Sequence, residues 1–395
     1  MATQGHQLGQ ALKGRSATWL LAAIGITVLS NLPIYLVGAL ATDIGREVSF
    51  PAAAVSVAVA GFWVSSAATS LTVSAFTRIA SAGRMPIFSM ALAATSLAGI
   101  GMSAGHWQWI AAWAVLGGAA NGLGHPATNA IIARGLPGSR IGMGLGAKQA
   151  AIPAAGMIAG LSLPILEPLT GWRGAFMLAA TIAGLFLMLL LIKLPQETAA
   201  RERAAEASLT LELRRHFVVV ALAAFFAATA ANTLPVFAVV GANERGIATD
   251  SAGLLLGAGS ILAGLTRIFL GIAADRGIGG GLGTMGLTLG AAVIGLLLMA
   301  VPGTLPYVLG FLLAVGIGWG WSGLSHLVVA RAAKEATAAG TGIVQVGAFA
   351  GNAVGPLVVG TIMTGFGQQV AWLALAGIGL CAVLATIIAP ATRPG

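Results

Sequence analysis

Apolar runs of about 20 residues recur along the whole chain, and their length limits the fold more than any other feature. A helix rises about 1.5 Å per residue, so a run of about 20 residues crosses the hydrocarbon core of a bilayer. Lipid offers the backbone no hydrogen-bonding partner, and these runs are too long and continuous for barrel strands. We therefore predict twelve transmembrane helices, called segments 1 to 12, near 17–41, 51–75, 86–104, 107–133, 141–166, 172–193, 216–241, 250–274, 280–301, 304–331, 338–364 and 369–390.

The composition leads to the same class. Hydrophobic residues make up 57% of the 395 residues, charged residues only 8%, and the mean hydropathy is +0.94, which is more apolar surface than a water-soluble core can bury. Segment 1 follows Lys13 and Arg15 as a signal peptide would, but it is too long for one and is read as a retained helix. The single cysteine, Cys381, excludes a disulfide framework or a cysteine-based metal site within the chain. The predicted fold class is an all-α integral membrane protein.

The basic residues predict the orientation in the membrane. When successive loops are assigned alternately to the two sides, 15 of the 20 Lys and Arg fall on one side and 3 on the other, with 2 inside segments. Short cytoplasmic loops are enriched in Lys and Arg. We therefore expect a multi-pass protein of the bacterial inner membrane, with both termini in the cytoplasm. The formal charge of +9 then reflects orientation, and no nucleic-acid partner is expected.

One long charged connection divides the chain. It predicts an N-terminal six-helix bundle over 1–193, a cytoplasmic linker over 194–215 and a C-terminal six-helix bundle over 216–395. The two halves echo each other at intervals of about 196 to 202 residues, as expected for a duplicated unit. The matching positions are Leu32-Pro33 with Leu234-Pro235, Ala133-Arg134 with Ala330-Arg331, and Gln149 with Gln345.

The loop after segment 8 carries a family resemblance. Residues 271–276 (Gly-Ile-Ala-Ala-Asp-Arg) resemble the loop signature of the major facilitator superfamily, and six plus six helices with a charged linker extend the resemblance over the whole chain. The resemblance implies two pseudo-symmetric six-helix bundles and secondary transport by alternating access. It also implies a gate at Asp275 and Arg276, which we expect to hold segments 8 and 9 against neighbouring helix ends. The equivalent loop in the first half has Ser81 in place of the acid.

Two cations lie inside predicted helices. Lys148 in segment 5 and Arg267 in segment 8 each sit about seven residues, or about 10 Å, from the cytoplasmic helix end, and no Asp or Glu lies comparably deep. Such residues normally face the bundle interior and mark a substrate path. The two cations therefore predict a site for a small anion, and the alternative is that both side chains snorkel to the interface or bond to helix carbonyls. Arg267 also resembles the helix 8 arginine of the monocarboxylate and oxalate branches of the family.

Other polar residues within the segments are candidates to complete the binding site, although hydrogen bonding between helices is the alternative use for each amide. For the two histidines, proton handling and a structural role are both open. The candidates are Asn31, Asn121, His125, Asn129, Gln149, Asn232, His326, Gln345 and Asn352. Trp319 and Trp321 in segment 10 are candidate cavity walls.

Neither phosphate-binding loops nor nucleophile elbows or zinc-binding helices occur in the sequence, so we expect neither an enzyme nor a cofactor or metal. A secondary transporter of a small, carboxylate-like anion is the favoured function, acting as a monomer, with protons as one candidate coupling ion. A proton-coupled exporter of hydrophobic or cationic compounds is the alternative, since 351–356 (Gly-Asn-Ala-Val-Gly-Pro) resembles an exporter signature, although it lies in segment 11 rather than 5. A non-transporting scaffold or sensor is a third reading.

Overall fold

The computed structural model describes residues 2–50, 52–79, 84–193, 209–231, 233–333 and 336–389. Every regular element in these ranges is helical. The first half of the chain contains α1 (Ala2–Ala39), α2 (Ala41–Val48), α3 (Ala52–Ile79), α4 (Met85–Met102), α5 (Trp107–Gly135), α6 (Ile141–Ile165) and α7 (Glu167–Lys193).

The second half repeats this arrangement with two interruptions. It contains α8 (Leu211–Ala231), α9 (Leu234–Asn243), α10 (Thr249–Asp275), α11 (Leu282–Ala300), α12 (Thr304–Phe311), α13 (Trp321–Ala333), α14 (Thr337–Phe366) and α15 (Gln368–Ile388). A π-helical turn, Leu312–Ile317, and a 3-10 turn, Gly318–Gly320, join α12 to α13.

The twelve predicted segments all correspond to helices, which confirms the predicted fold class. Segment 7 is divided, since α8 ends at Ala231 and α9 begins at Leu234, and segment 10 contains the π and 3-10 turns. The helix of segment 6 begins earlier than predicted, at Glu167, and changes direction at Gly171, whose φ of 66° suits glycine. Most of the predicted linker, 194–208, and the residues 80–83 that include Ser81 lie outside the described residues.

Within the described residues, ten helical stretches are long and apolar enough to cross a membrane. The helices α5 and α6 are not among these ten, although they have 29 and 25 residues. Asn121, His125 and Asn129 on α5 and Lys148 and Gln149 on α6 lower the hydropathy of these two helices. Polar residues within transmembrane helices normally face the bundle interior.

Hydrogen bonds from serine join the helices of the first half. Ser66 and Ser70 on α3 donate to the carbonyls of Gly118 and Gly122 on α5, at 2.9 and 3.0 Å. Ser89 on α4 donates to the carbonyl of Ala120, also on α5, at 2.8 Å. Such bonds hold helices together in a medium where burial of apolar side chains drives no association.

The two halves meet mainly along two helix pairs, α6 with α10 and α3 with α14. Glycines allow α6 and α10 to approach closely. A Cβ atom on Gly146 would collide with the carbonyl of Arg267, and one on Gly142 would lie 2.6 Å from the carbonyl of Gly271. This seam places Lys148 of α6 and Arg267 of α10 at the same level of the bundle.

Candidate functional site

A polar cavity lies between the two halves. Helices α1, α3, α5 and α6 contribute to its wall from the first half, and α10, α13 and α14 contribute from the second. Its lining consists of Asn31, Tyr35, Trp63, His125, Gln149, Ile152, Arg267, Trp319, Trp321, Ser322, Ser325, His326, Val344, Gln345, Ala348, Phe349 and Asn352.

Arg267 crosses from one half to the other. Its side chain is 2% exposed, Nη1 donates to the carbonyl of Gln149 on α6 at 3.0 Å, and Nε donates to the carbonyl of Trp319 at 3.1 Å. The guanidinium carbon also lies 4.8 Å from the centre of the Trp319 ring. Trp319 belongs to the 3-10 turn after the π-helical turn, where the break in regular α-helix leaves carbonyls for outside donors. Its partners are therefore dipoles and a ring, with no carboxylate among the described contacts.

Lys148 lies behind this wall. Its side chain is fully buried, and Nζ contacts Nδ1 of His125 at 3.1 Å and donates to Oδ1 of Asn129 at 3.0 Å. An ammonium group only donates, so Nδ1 of His125 accepts and the proton of the neutral ring resides on Nε2. Nε2 of His125 has no partner among the described residues, and His125 lines the cavity. Lys148 thus does not contact the cavity itself, and the N–H group of His125 that faces the cavity is the nearest donor it supports.

The ring of His326 contacts side-chain amides from both halves, those of Gln149 and Gln345. The side-chain nitrogen of Gln149 lies 2.9 Å from its Nδ1, and Oε1 of Gln345 lies 3.0 Å from its Nε2. The carbonyl of Ser322 lies 2.8 Å from the same Nδ1. Gln149 and Gln345 are the pair that the internal repeat matched, so equivalent positions of the two halves meet on one imidazole.

Several buried polar atoms of the cavity wall lack a hydrogen-bonding partner among the described residues. Leaving such atoms unpaired costs about 1–3 kcal/mol each, so a site that keeps several of them is organised for a ligand or water. They are Asn31 Oδ1, His125 Nε2, Gln149 Oε1, Trp321 Nε1 and Ser322 Oγ.

The structure gathers most of the predicted binding residues at this cavity. Seven of the eleven candidates line it, namely Asn31, His125, Gln149, Arg267, His326, Gln345 and Asn352. Lys148 and Asn129 form the layer behind His125. Asn232 lies outside the described residues, and Asn121, which was named as a further candidate, is buried away from the cavity.

Sequence reasoning missed much of the aromatic wall. Trp319 and Trp321 were expected as cavity walls, but Tyr35, Trp63 and Phe349 were not singled out. The rings of Trp63 on α3 and Phe349 on α14 are 5.6 Å apart and face each other across the two halves. An aromatic residue in a transmembrane helix has the same pattern whether it faces lipid or cavity, so nothing in the sequence distinguished these three.

Asp275, one of the two predicted gate residues, contacts the end of a neighbouring helix. Oδ1 and Oδ2 of Asp275 accept hydrogen bonds from the backbone amides of Gly142 and Met143, each at 2.8 Å. These amides are at the N-terminus of α6, where unpaired N–H groups and the helix dipole favour an anion. The carboxylate therefore holds the end of segment 8 against the start of segment 5 and so joins the two halves.

Arg331 forms hydrogen bonds to the end of α10 and to the loop that follows it. Arg331 at the end of α13 donates to the carbonyl of Ala274 at 2.7 Å and to that of Gly280 at 3.3 Å. Arg276, which was predicted to share the gate with Asp275, is exposed. The internal repeat pairs Arg331 with Arg134, but the sequence pattern predicted no function for Arg331.

The described residues thus form a helical bundle of membrane-spanning length with a polar cavity between its two halves, an arrangement typical of transport proteins. The family model described as Major Facilitator Superfamily matches residues 19–241 and 220–395, and the chain belongs to this family of membrane transporters. In a comparison with curated proteins, none matches the chain at a significant level.

Proposed function

We propose that the protein is a secondary transporter that moves a small, carboxylate-like anion across the bacterial inner membrane by alternating access. The observation that carries this proposal is Arg267, a buried cation in the cavity wall that lies between the two halves. A guanidinium presents N–H groups in a planar fork that matches a carboxylate. Among the described residues that line the cavity, none supplies a carboxylate of its own.

Burial of an arginine without a counter-charge is costly. Carbonyl oxygens and a Trp ring offset part of the desolvation, but they carry no negative charge to balance the guanidinium. A bound anion supplies that charge. The anion also contacts residues from both halves, so its binding depends on how the halves are arranged, as alternating access requires.

The remaining polar groups suit the same ligand. Lys148 adds positive charge from behind His125, and the Nε2 proton of His125 gives the cavity a neutral donor. Because acidic residues are missing from the described part of the lining, a coupled proton travels with the substrate or on His125 or His326, and exchange without protons is equally compatible.

Asp275 serves as the gate in this proposal. Its two hydrogen bonds to the start of α6 hold α6 against α10 at the end of the bundle predicted to face the cytoplasm. Breaking them would allow these helix ends to separate and open the cavity to that side. Alternating access then consists of making and breaking this contact while the ligand is held near Arg267.

Reconstitution tests the proposal. Proteoliposomes that contain only this protein should take up small monocarboxylates, and Arg267→Ala should abolish most of the uptake. Arg46→Ala is the matched control, because Arg46 is exposed and pairs with Asp43 away from the cavity. Uptake of lipophilic cations that is insensitive to Arg267→Ala would favour the exporter, and absence of any solute transport would favour the scaffold.

A further inference from the structure

We propose that the transported anion is an aromatic monocarboxylate, with one carboxylate on a flat ring that fits between the aromatic side chains of the cavity. This inference rests on the proposed anion transport and specifies its substrate class. It is carried by the charge of the lining, by the positions of five aromatic residues and by the orientation of Arg267.

The charge of the lining matches a single carboxylate. Arg267 is the fully charged side chain among the described residues that line the cavity. The ammonium group of Lys148 is enclosed by His125 and Asn129, so it does not meet a ligand directly. A second carboxylate on the ligand would be buried without a counter-charge, which is costly in a water-poor cavity.

The walls match a flat ring. Tyr35, Trp63, Trp319, Trp321 and Phe349 line the cavity, and both halves contribute to this set. The Trp63 and Phe349 rings are 5.6 Å apart with 34° between their planes, and the Phe349 ring lies 5.4 Å from that of His125 at nearly a right angle. The Phe349 ring thus contacts both of these rings, and a ring on the ligand would meet them from the cavity side, in the offset-stacked or edge-to-face contacts that aromatic rings prefer.

The orientation of the Arg267 side chain relates the single positive charge of the cavity to its aromatic walls. Its Nε and one N–H of Nη1 donate to backbone carbonyls, and one face of the guanidinium lies on Trp319. Of the five N–H groups of a guanidinium, three remain, and a carboxylate takes one N–H from each of two nitrogens when it binds in a bidentate manner. A carboxylate that lies in the guanidinium plane puts a conjugated ring close to the same plane.

Two neutral donors remain for a substituent on the ring. Nε1 of Trp321 and Nε2 of His125 line the cavity without a partner among the described residues. An oxygen atom on the ring, such as a hydroxyl group, would accept from either of them. The cavity is therefore suited to hydroxybenzoate as well as benzoate.

Binding to purified wild-type protein in detergent tests the inference, with isothermal titration calorimetry as the measurement. The probes are benzoate, 4-hydroxybenzoate, cyclohexanecarboxylate, butyrate and terephthalate. We expect benzoate to bind about two- to tenfold more tightly than cyclohexanecarboxylate, since aromatic pairing adds to simple burial. Terephthalate, which carries two carboxylates, should bind most weakly of the ring compounds. This comparison needs no variant and does not depend on whether a variant folds.

Variants of the cavity wall then test which side chains contact the ring of the ligand. Phe349→Leu should weaken benzoate about two- to tenfold and leave cyclohexanecarboxylate nearly unchanged. Trp321→Phe should weaken 4-hydroxybenzoate more than benzoate, because it removes the N–H and keeps a ring. Phe269→Leu is the matched control, as this residue of α10 is 63% exposed at the outer surface and should change neither affinity.

The outcomes separate this inference from the function on which it rests. If butyrate or cyclohexanecarboxylate binds as tightly as benzoate, and Arg267→Ala weakens this binding at least about fivefold, anion transport stands and the aromatic substrate class is wrong. If none of the five anions binds, or if Arg267→Ala leaves their affinities unchanged, both proposals are wrong. Tight binding of terephthalate would overturn the inference of a single carboxylate.

Discussion

Arg267 shows at the scale of one residue how a buried charge can be tolerated without an acidic partner. Two carbonyls and the ring of Trp319 fix the plane of its guanidinium before any ligand arrives. A group that is already oriented loses little conformational freedom when it binds. In the proposed function, a bound anion offsets the remaining cost of burying the charge, so binding and charge compensation are the same event.

Replacing this arginine separates its charge from its shape. Arg267→Lys keeps the charge and loses the fork, so we expect benzoate binding to weaken more than iodide binding. Arg267→Ala should cost about 1–3 kcal/mol in carboxylate binding. Calorimetry on variants that keep the wild-type elution volume measures both effects. Equal losses for the planar and the spherical anion would contradict a bidentate contact.

Lys148 should act through His125. Because its ammonium group sets the ring tautomer from behind, Lys148→Met frees Nδ1 of His125 and should weaken benzoate binding by less than Arg267→Ala does. In the His125→Phe background the same change should have little effect. A double-mutant cycle of binding energies should give a coupling of about 0.5–3 kcal/mol, and additive losses would show that Lys148 acts independently.

At the scale of elements, the seam between α6 and α10 determines whether the halves can close. Gly142, Gly146 and Gly271 allow the backbones to touch, and Asp275 then reaches the start of α6. The same seam brings the carbonyl of Gln149 to Arg267. In the proposed mechanism, closure of the gate and assembly of the binding site are therefore coupled through one helix pair.

Gly146→Ala should force the seam apart. The new Cβ would collide with the Arg267 carbonyl, a backbone atom that cannot rotate away, and such overpacking costs about 1–3 kcal/mol. We expect faster maleimide labelling of Leu327→Cys, a buried position between the halves, in a Cys381→Ser background. Gly160→Ala on the same helix is the control, since its Cβ would meet open space. Unchanged labelling of the Gly146 variant would show that the seam does not control access.

Asp275→Asn should loosen the same contact by removing charge. The amide keeps an oxygen acceptor, but it loses the favourable interaction of a carboxylate with the N-terminus of α6, about 1 kcal/mol. Transport should fall severalfold while benzoate affinity changes little, because the balance between access states is disturbed. Asp43→Asn, which affects a surface pair with Arg46, is the control. A large and equal loss of affinity would place Asp275 in binding instead of gating.

For the whole molecule, the distribution of basic residues predicts one orientation. Tags at Met1, Arg203 and Gly395 should be cytoplasmic, and a tag between Arg245 and Asp250 should be periplasmic. The reason is the split of 15 against 3 basic residues between the two sides. Protease protection in spheroplasts and inverted vesicles measures each position. An external tag at Arg203 would reverse the inferred direction of the gate at Asp275.

The sequence alone determined the class, the number of helices and the residues that lipid makes costly. Hydrophobic run length suffices for this because each helix must satisfy its own backbone within the bilayer. It also identified Arg267 and the pair Gln149 and Gln345, since polar groups in apolar runs are rare enough to stand out. The break between α8 and α9 and the irregular turn before α13 were not predicted, because each lies inside an apolar run of membrane-spanning length.

Only the tertiary structure decided which of these residues share a surface. Lys148 and Arg267 looked equivalent by depth, yet Arg267 lines the cavity and Lys148 is enclosed by His125 and Asn129. The aromatic wall and the contact of Asp275 with α6 also depend on how helices rotate and cross, which follows from packing between distant segments. The hydropathy of a segment shows whether it can lie in lipid, but it does not show which helix the segment packs against. The residues that share the site could therefore be identified only from the contacts between helices.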